Sequence, residues 1–386
     1  MRFVNLDTLA GGLSWCGMTG AFIRRARTKR LVTVLCLHRV SPDVHSLFPA
    51  LAPELFRDLC RYLKPRYHII RFRDLGFAPD YRPEKPLLII SFDDGYKDFV
   101  EYALPILLDE GLKANQNIIT SCADSGQPYT WQACIDLLSD ATDADLGRLL
   151  DELGAGSLWK RQTRECLALD FTRWFQELTA DEIQVIAERL RGVIALGRQK
   201  ATRMMAWDDI RALDRLGFEI GSHTVSHASL DKLSPEQVDR ELRLSKRQIE
   251  EQVGHEISVV AFPRGRFDVG IVKRSRELGY EYLLTTEPGL NDPGGDLWRR
   301  ILVHGATRAR LRVQAIGLES QIRKRVRKRV DPLVACARGD GREPLRHRVR
   351  RVGASSTREG LVSVVVPMFN AEPFVGEAVR SVIDQT

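Results

Sequence analysis

The sequence predicts an α/β fold with a parallel sheet, built from nearly as many strand–helix units as a barrel needs. Short apolar, β-branched runs recur at 31–37, 87–92, 116–120, 218–222, 258–262, 281–285 and 300–304, each about the length of a strand. Amphipathic stretches at 97–110, 234–253 and 269–278 lie between several of them. Strands that alternate with helices imply parallel neighbours joined by helical crossovers. A third signal is punctuation: Gly111, Gly254 and Gly279 follow these helices, and glycine reaches the left-handed conformation that closes a helix.

The remaining segments depart from this alternation. Residues 1–30 read as a helical N-terminal segment. Its apolar part, 9–23, precedes the basic cluster Arg24, Arg25, Arg27, Lys29 and Arg30, the reverse of the charge order in a secretory signal. A packing helix is expected there, with an interfacial amphipathic helix as the alternative. From about 124 to 205 the strand signal fades, and the windows 135–153, 164–178 and 180–190 read as helices. A helical insertion is expected, because so long a stretch is rarely a structureless loop. Residues 310–330 look helical and very basic, 331–360 read as a linker, and 361–367 open a new strand.

Composition bounds the function. The 386 residues allow one large domain or two ordinary ones. Hydrophobic residues at 44% and charged residues at 28% are globular values. No apolar run approaches the roughly 20 residues that span a bilayer. The seven cysteines (Cys16, Cys36, Cys60, Cys122, Cys134, Cys166, Cys336) form no C-x-x-C pair. Their odd number and irregular spacing argue against a disulfide scaffold or a zinc ribbon and point to reduced thiols in a cytoplasmic protein. The net charge of +7 is concentrated between 308 and 358. Such a run can bind nucleic acid, anionic lipid or a polyanionic glycan, or form a solvated face. The expectation is a solvated face, no nucleic-acid partner, and peripheral membrane contact as the further option.

Three polar runs carry the chemistry, and each directly follows a candidate strand. In Ser91-Phe92-Asp93-Asp94-Gly95, two adjacent carboxylates repel unless something positive compensates them. A divalent metal would do so by binding one and leaving the other as a base; the alternative is an Asp-Asp-Gly turn capping the next helix. In Gly221-Ser222-His223-Thr224-Val225-Ser226-His227, two histidines four apart on one helical turn would face the same way, as zinc ligands do; paired surface histidines are the alternative. The third run is Ala261-Phe262-Pro263-Arg264-Gly265. In α/β barrels reactive groups gather at the strands' C-terminal ends. Asp94, His223 and His227 would there form a carboxylate-plus-two-imidazole set that leaves positions open for water and substrate.

In this order the three motifs resemble those of the polysaccharide deacetylases, also called the NodB homology or carbohydrate esterase 4 family. The flanks agree: Leu37-His38-Arg39-Val40 resembles the opening strand, Met205-Ala206-Trp207-Asp208 with Phe218-Glu219-Ile220-Gly221 the approach to the histidines, and Gly279-Tyr280 with Arg299-Arg300-Ile301 the late strands. The resemblance covers roughly 31–305 and places the domain at 31–307. It implies a distorted (β/α) barrel, a divalent ion such as zinc, and an acetylated sugar or polysaccharide as substrate. It also implies that Asp94, His223 and His227 hold the ion while Asp93 takes a proton from the attacking water. A backbone N–H near Arg264, with Pro263 beside it, would meet the acyl oxygen.

This chain departs from the pattern at Ala261, where relatives often have an arginine that positions the base. Arg300 is the candidate to replace it. His304 is the candidate for the family's histidine acid, and His38 is a further candidate at the barrel mouth. Residues 362–379, Val362-Ser363-Val364-Val365-Val366-Pro367-Met368-Phe369-Asn370 and Phe374-Val375-Gly376-Glu377-Ala378-Val379, resemble the first strand and helix of family 2 glycosyltransferases. With no downstream Asp-x-Asp motif, 361–386 are read as the truncated start of such a domain. The expected function is metal-dependent removal of an N- or O-acetyl group in cell-surface polysaccharide synthesis. The alternatives are a deformylase or cyclic amidase of the same fold, or a catalytically silent glycan-binding or membrane-scaffolding domain.

Overall fold

The computed structural model describes residues 18–43, 48–76, 84–145, 148, 187–188, 202–304, 307–317 and 319. The segment 361–386, most of the basic stretch 308–360 and most of the helical windows between 146 and 201 lie outside these residues. Cys16, Cys166 and Cys336 lie outside them too; Cys36, Cys60 and Cys122 are buried free thiols, and Cys134 is buried.

The core is a curled, wholly parallel sheet. Strand β1 (Val32–Leu37) pairs in register with β3 (Leu87–Phe92), Val32 opposite Leu87 through Leu37 opposite Phe92. The short strand β2 (His68–Ile69) pairs with the lower end of β3 and β4 (Asn115–Ile118) with its upper end. From β4 the sheet continues through β5 (Glu219–Ser222), β6 (Val259–Ala261) and β7 (Tyr282–Leu284). The segment 297–302 then turns the sheet back on itself. Its first half, β8 (Leu297–Trp298), pairs with β7, and its second half, β9 (Ile301–Leu302), pairs with β1. The α/β barrel expected from the strand–helix alternation is thus the architecture observed.

Side chains alternate across each strand, which divides the core in two. Leu35, Leu37, Leu88, Ile90, Phe92, Ile301 and Val303 face outward and pack with the helices α2 (Pro53–Leu63), α3 (Leu104–Asp109), α6 (Trp207–Arg215), α7 (Pro235–Val253), α8 (Val269–Glu277) and α9 (Arg308–Ala315). Val32, Val34, Ile89, Val259, Ala261, Leu284 and Trp298 meet one another inside the barrel, with Phe72. Before β1 comes α1 (Met18–Thr28), whose Phe22 and Ile23 pack on Val313 and Ile316 at the end of α9. Among the described residues no helix is long and apolar enough to cross a membrane.

Helix α7 shows why the sequence signals were legible. Ser234 accepts from the Gln237 amide at 3.3 Å while Gln237 Oε1 accepts from the Ser234 amide at 2.9 Å, Pro235 opens the first turn, and Gly254 closes the helix at φ 78°. Gly111 and Gly279 likewise sit at φ 67° and 84°. Three elements differ from expectation. The helix expected over 97–110 begins as a π turn, Phe99–Ala103, ahead of α3. Pro105 lacks the N–H a regular helix would need there. The strand expected at 116–120 is β4 at Asn115–Ile118, because Thr120 already opens the helix α4 (Thr120–Ser125). The strand expected at 300–304 is paired only at Ile301–Leu302, with Arg300 turned inward.

The expected insertion does not start as a detached excursion. Helix α5 (Thr130–Asp140) is preceded by Tyr129, which reaches the site below. The chain returns at 203–205 beside the Asp93–Asp94 turn, where Met205 donates to Gly95 O at 2.8 Å and Lys97 to Arg203 O at 2.9 Å.

Candidate metal centre and its neighbouring carboxylate

Asp93 and His223 each sit one step past the last paired residue of their strands. The Asp93 amide donates to Leu37 O at 3.0 Å and the His223 amide to Ile118 O at 2.8 Å, which fix the ends of β3 and β5 against their neighbours. Beyond them the backbone turns sharply. Among the described non-glycine residues, positive φ occurs at Asp94 (75°), Thr224 (67°), His227 (60°), Arg264 (58°) and Arg30 (52°). All but Arg30 belong to the three motifs, and such conformations persist only where the surroundings enforce them.

The histidine pair is therefore not on a helix, as its spacing had suggested. Residues 223–227 form a loop held from outside by α7. Glu241 accepts from the amides of Val225 at 2.9 Å and Ser226 at 3.0 Å, and from Ser226 Oγ at 2.8 Å. His227 is set by its own amide donating to Thr224 Oγ1 at 3.1 Å. The two rings end with centroids 4.8 Å apart, both directed at Asp94.

Asp94 Oδ1 lies 3.3 Å from His223 Nε2 and 3.6 Å from His227 Nε2. Ligands about 2.0–2.1 Å from a tetrahedral zinc ion stand about 3.3 Å from one another, so these atoms already have the spacing of a coordination sphere. The tautomer agrees. His223 Nδ1 is 2.7 Å from Ala261 O, which can only accept, so Nδ1 carries a proton and Nε2 is the nitrogen turned to Asp94. A proton or a metal ion must lie between Nε2 and the Asp94 carboxylate at this distance. The charges around the pair favour a cation there: burial lowers the His223 pKa, but the charges of Asp93 and Asp94 outweigh it and leave it raised. Burial, then the neighbouring charge of His223, hold His227 down at about 3. Burial pushes Asp94 upward, yet the hydrogen bond to His223 and the charge of His227 bring it to about 2. The residues present fit a divalent ion. Tyr129 completes the surround, donating to Asp94 Oδ2 at 3.3 Å with its ring 4.5 Å from that of His227.

Asp93 has different partners although it is next in sequence. Arg300 Nη1 and Asn117 Nδ2 both donate to its Oδ1 at 2.7 Å, and the Cys36 thiol stands 3.7 Å from Oδ2. Burial works against the charged carboxylate, but the Arg300 guanidinium overcomes it and holds Asp93 far below the usual range. Arg300 is itself fixed by Nε donating to Thr285 O at 2.9 Å. Cys36, His38 and Asp93 make a second grouping of ligand-type atoms within 4.8 Å of one another. It suits a metal less well, because Arg300 already compensates Asp93 and burial pushes the Cys36 thiol well up, away from the thiolate.

The other expected site residues are distributed as follows. Ala261 contributes its carbonyl to His223, and no guanidinium comes from that strand. Pro263 is buried, and Arg264 adopts the left-handed conformation next to Gly265, where a Cβ would stand 2.6 Å from the Thr286 amide. His38 is half-buried with its ring edge-on to Phe48, centroids 5.4 Å apart. His304 follows β9, its amide donating to Gln314 Oε1 at 3.1 Å, and it joins neither ligand grouping. Sequence reading missed Asn117, Tyr129 and Cys36. For Asn117 a signal existed in the polar run Asn115-Gln116-Asn117 inside a strand; for the other two there was none.

The family model for polysaccharide deacetylase matches residues 80–283, just over half of the 386. The chain belongs to the polysaccharide deacetylase family. Among curated proteins it is similar to YxkH of Bacillus subtilis (strain 168), which carries a polysaccharide-deacetylase name. The two are 23% identical over 133 residues, 34% of this chain and 48% of that protein, so the match spans about half the relative's length. Among solved structures, the Streptococcus pyogenes deacetylase PplD, in complex with acetate, is 18% identical with a TM-score of 0.49, over 74% of this chain and 98% of that one. IcaB from Ammonifex degensii is 15% identical with a TM-score of 0.49, over 74% and 97%.

Proposed function

We propose that this protein is a divalent-metal-dependent hydrolase, zinc being the fitting ion, that removes N- or O-linked acetyl groups from a sugar or polysaccharide intermediate. The observation that carries the reading is the division of labour between adjacent carboxylates. Asp94 faces two imidazole nitrogens at coordination spacing, whereas Asp93 faces Arg300 and remains ionised. When bound, a divalent ion supplies Lewis-acid polarisation of an acyl oxygen and of water. Asp94, His223 and His227 are its ligands. Asp93 accepts the proton of the attacking water at Oδ2, the oxygen that Arg300 leaves free.

Arg300 is the residue that orients the base, taking over from a different strand the role that the resemblance gives to an arginine at the place of Ala261. Pro263 and the Arg264 backbone form the acyl-side wall, and His38 contacts substrate at the end of β1. His304 is the candidate for the histidine acid that protonates the leaving group. The glycosyltransferase-like run at 362–379 supports a role in cell-surface polysaccharide synthesis, by association. The basic cluster in the last turns of α1 and just after it, and the stretch beyond 308, favour the inner face of an anionic membrane as its location.

The test is mass spectrometry of acetate release across a panel of N- and O-acetylated sugars, with and without chelator. The proposal expects release that chelation abolishes and a divalent ion restores. Release that ignores chelation, or no release by metal-loaded protein from any acetylated sugar, contradicts it.

A further inference from the structure

Strand β4 lies in the middle of a parallel sheet, where strands are normally continuous apolar runs. Here it carries Asn115, Gln116 and Asn117 in succession, all fully buried. Buried amides destabilise a core unless they are hydrogen-bonded. Alternation turns Asn115 and Asn117 to one face, and their contacts identify that face as the barrel interior. Ser91 Oγ donates to Asn115 Oδ1 at 2.8 Å, and Asn117 Nδ2 donates to Ser91 Oγ at 3.1 Å and to Asp93 Oδ1 at 2.7 Å.

Two strong donors, Asn117 Nδ2 and Arg300 Nη1, thus converge on one oxygen of Asp93 from two different strands' ends. The other oxygen, Oδ2, has the Cys36 thiol at 3.7 Å, a weak donor at long range. One donor leaves the carboxylate free to rotate about it; two donors from different directions fix its plane. An amide does this without adding a second positive charge beside the base. Space for that amide comes from the histidine motif itself. A Cβ on Gly221 would stand 2.3 Å from Asn117 Oδ1 and 3.2 Å from Asn115 Nδ2, so glycine at this position lets β5 pass close to the β4 side chains.

We propose that Asn117, seated against Gly221, is a positioning residue for Asp93: it pins Oδ1 and so presents Oδ2 to the reacting water. This rests on the reading of Asp93 as the base. An error of about 1 Å in a reacting group costs on the order of 100-fold in rate. The experiment compares the 386-residue chain with its Asn117→Leu, Asp93→Asn and double variants, each scored for metal content, kcat and KM on the best acetylated sugar. Asn117→Leu keeps the branched shape and removes the donor; the smaller Asn117→Ser takes its place if the bulkier leucine variant does not fold. The expected result is a kcat drop of about 100-fold with KM and metal content near those of the parent. In the Asp93→Asn background the same substitution adds no further loss, because its effect runs through Asp93. Gly221→Ala reproduces the kcat drop from the opposite side of the contact. If Asp93→Asn abolishes turnover while Asn117→Leu leaves kcat unchanged, or if the losses multiply in the double variant, the positioning role is overturned and the base reading stands. If Asp93→Asn keeps full turnover, the base reading falls and the positioning role with it.

Discussion

The lower and upper halves of the barrel interior are lined by the same strands and have opposite chemistry. In β1 the inward residues run Val32, Val34 and then Cys36; in β3, Ile89 and then Ser91, followed by Asp93; along 297–302, Trp298 and then Arg300. The lower half is a mainly apolar plug in which Phe72, Tyr282 and Trp298 meet with ring centroids 5.1–5.6 Å apart, and its one inward carboxylate among the described strands, Glu219, accepts from the Phe72 and Arg73 amides. The upper half is a hydrogen-bonded network of Ser91, Asn115, Asn117, Asp93 and Arg300 that ends at the Asp94–histidine set. The switch takes two residues per strand. The plug supplies rigidity, and the network, with its strained turns at Asp94, Thr224 and His227, is where that rigidity is used. Substitutions below the switch should therefore act on stability and those above it on metal or turnover.

The largest effect is expected at the top. His223→Ala with His227→Ala removes two of three proposed ligands, so metal should be absent by elemental analysis and acetate release should fall to background. Full metal occupancy in that double variant would break the assignment. Next comes the plug: Trp298→Ala should cost about 3–5 kcal/mol of stability, read by denaturant unfolding, while residual folded protein still takes up metal. Arg300→Ala spans both halves of the comparison. It leaves the buried Asp93 charge uncompensated, for which about 3–5 kcal/mol is expected, and it should lower turnover as well. A stability loss without a turnover loss would confine Arg300 to the structural side. Smallest is Tyr129→Phe, which removes only the hydroxyl donating to Asp94 Oδ2. Its expected signature is a metal affinity about 10-fold weaker, measured by chelator competition, with an unchanged unfolding midpoint.

Much of this was legible in the sequence because the signals are local. The strand–helix alternation and the glycine stops each depend on residues a few positions apart, and each appears in the structure. The three motifs were legible because each follows its own strand. What was not legible depends on pairing across the sheet. That Asn117 meets Asp93 follows from β4 lying beside β3, 24 residues away in sequence. That Arg300 meets the same oxygen depends on a segment that pairs β7 with one half and β1 with the other. The histidine spacing misled in detail, since a helix and a strained loop can both direct residues four apart to one point, and only the Glu241 contacts distinguish them. Tyr129 was hidden because it opens a stretch whose helical period predicts packing and says nothing of a hydroxyl turned toward Asp94.

The central claim is that two neighbouring carboxylates divide metal binding from proton transfer, and one paired measurement tests it most directly. Metal stoichiometry and acetate release are to be determined side by side for Asp93→Asn and Asp94→Asn, each nearly isosteric with the parent. The account predicts that Asp93→Asn keeps about one ion per chain and loses on the order of 10²–10⁴-fold in turnover. Asp94→Asn should lose the ion and regain part of its turnover when metal is added in excess. Loss of metal in Asp93→Asn with retention in Asp94→Asn would reverse the roles, and full turnover in both would contradict the account.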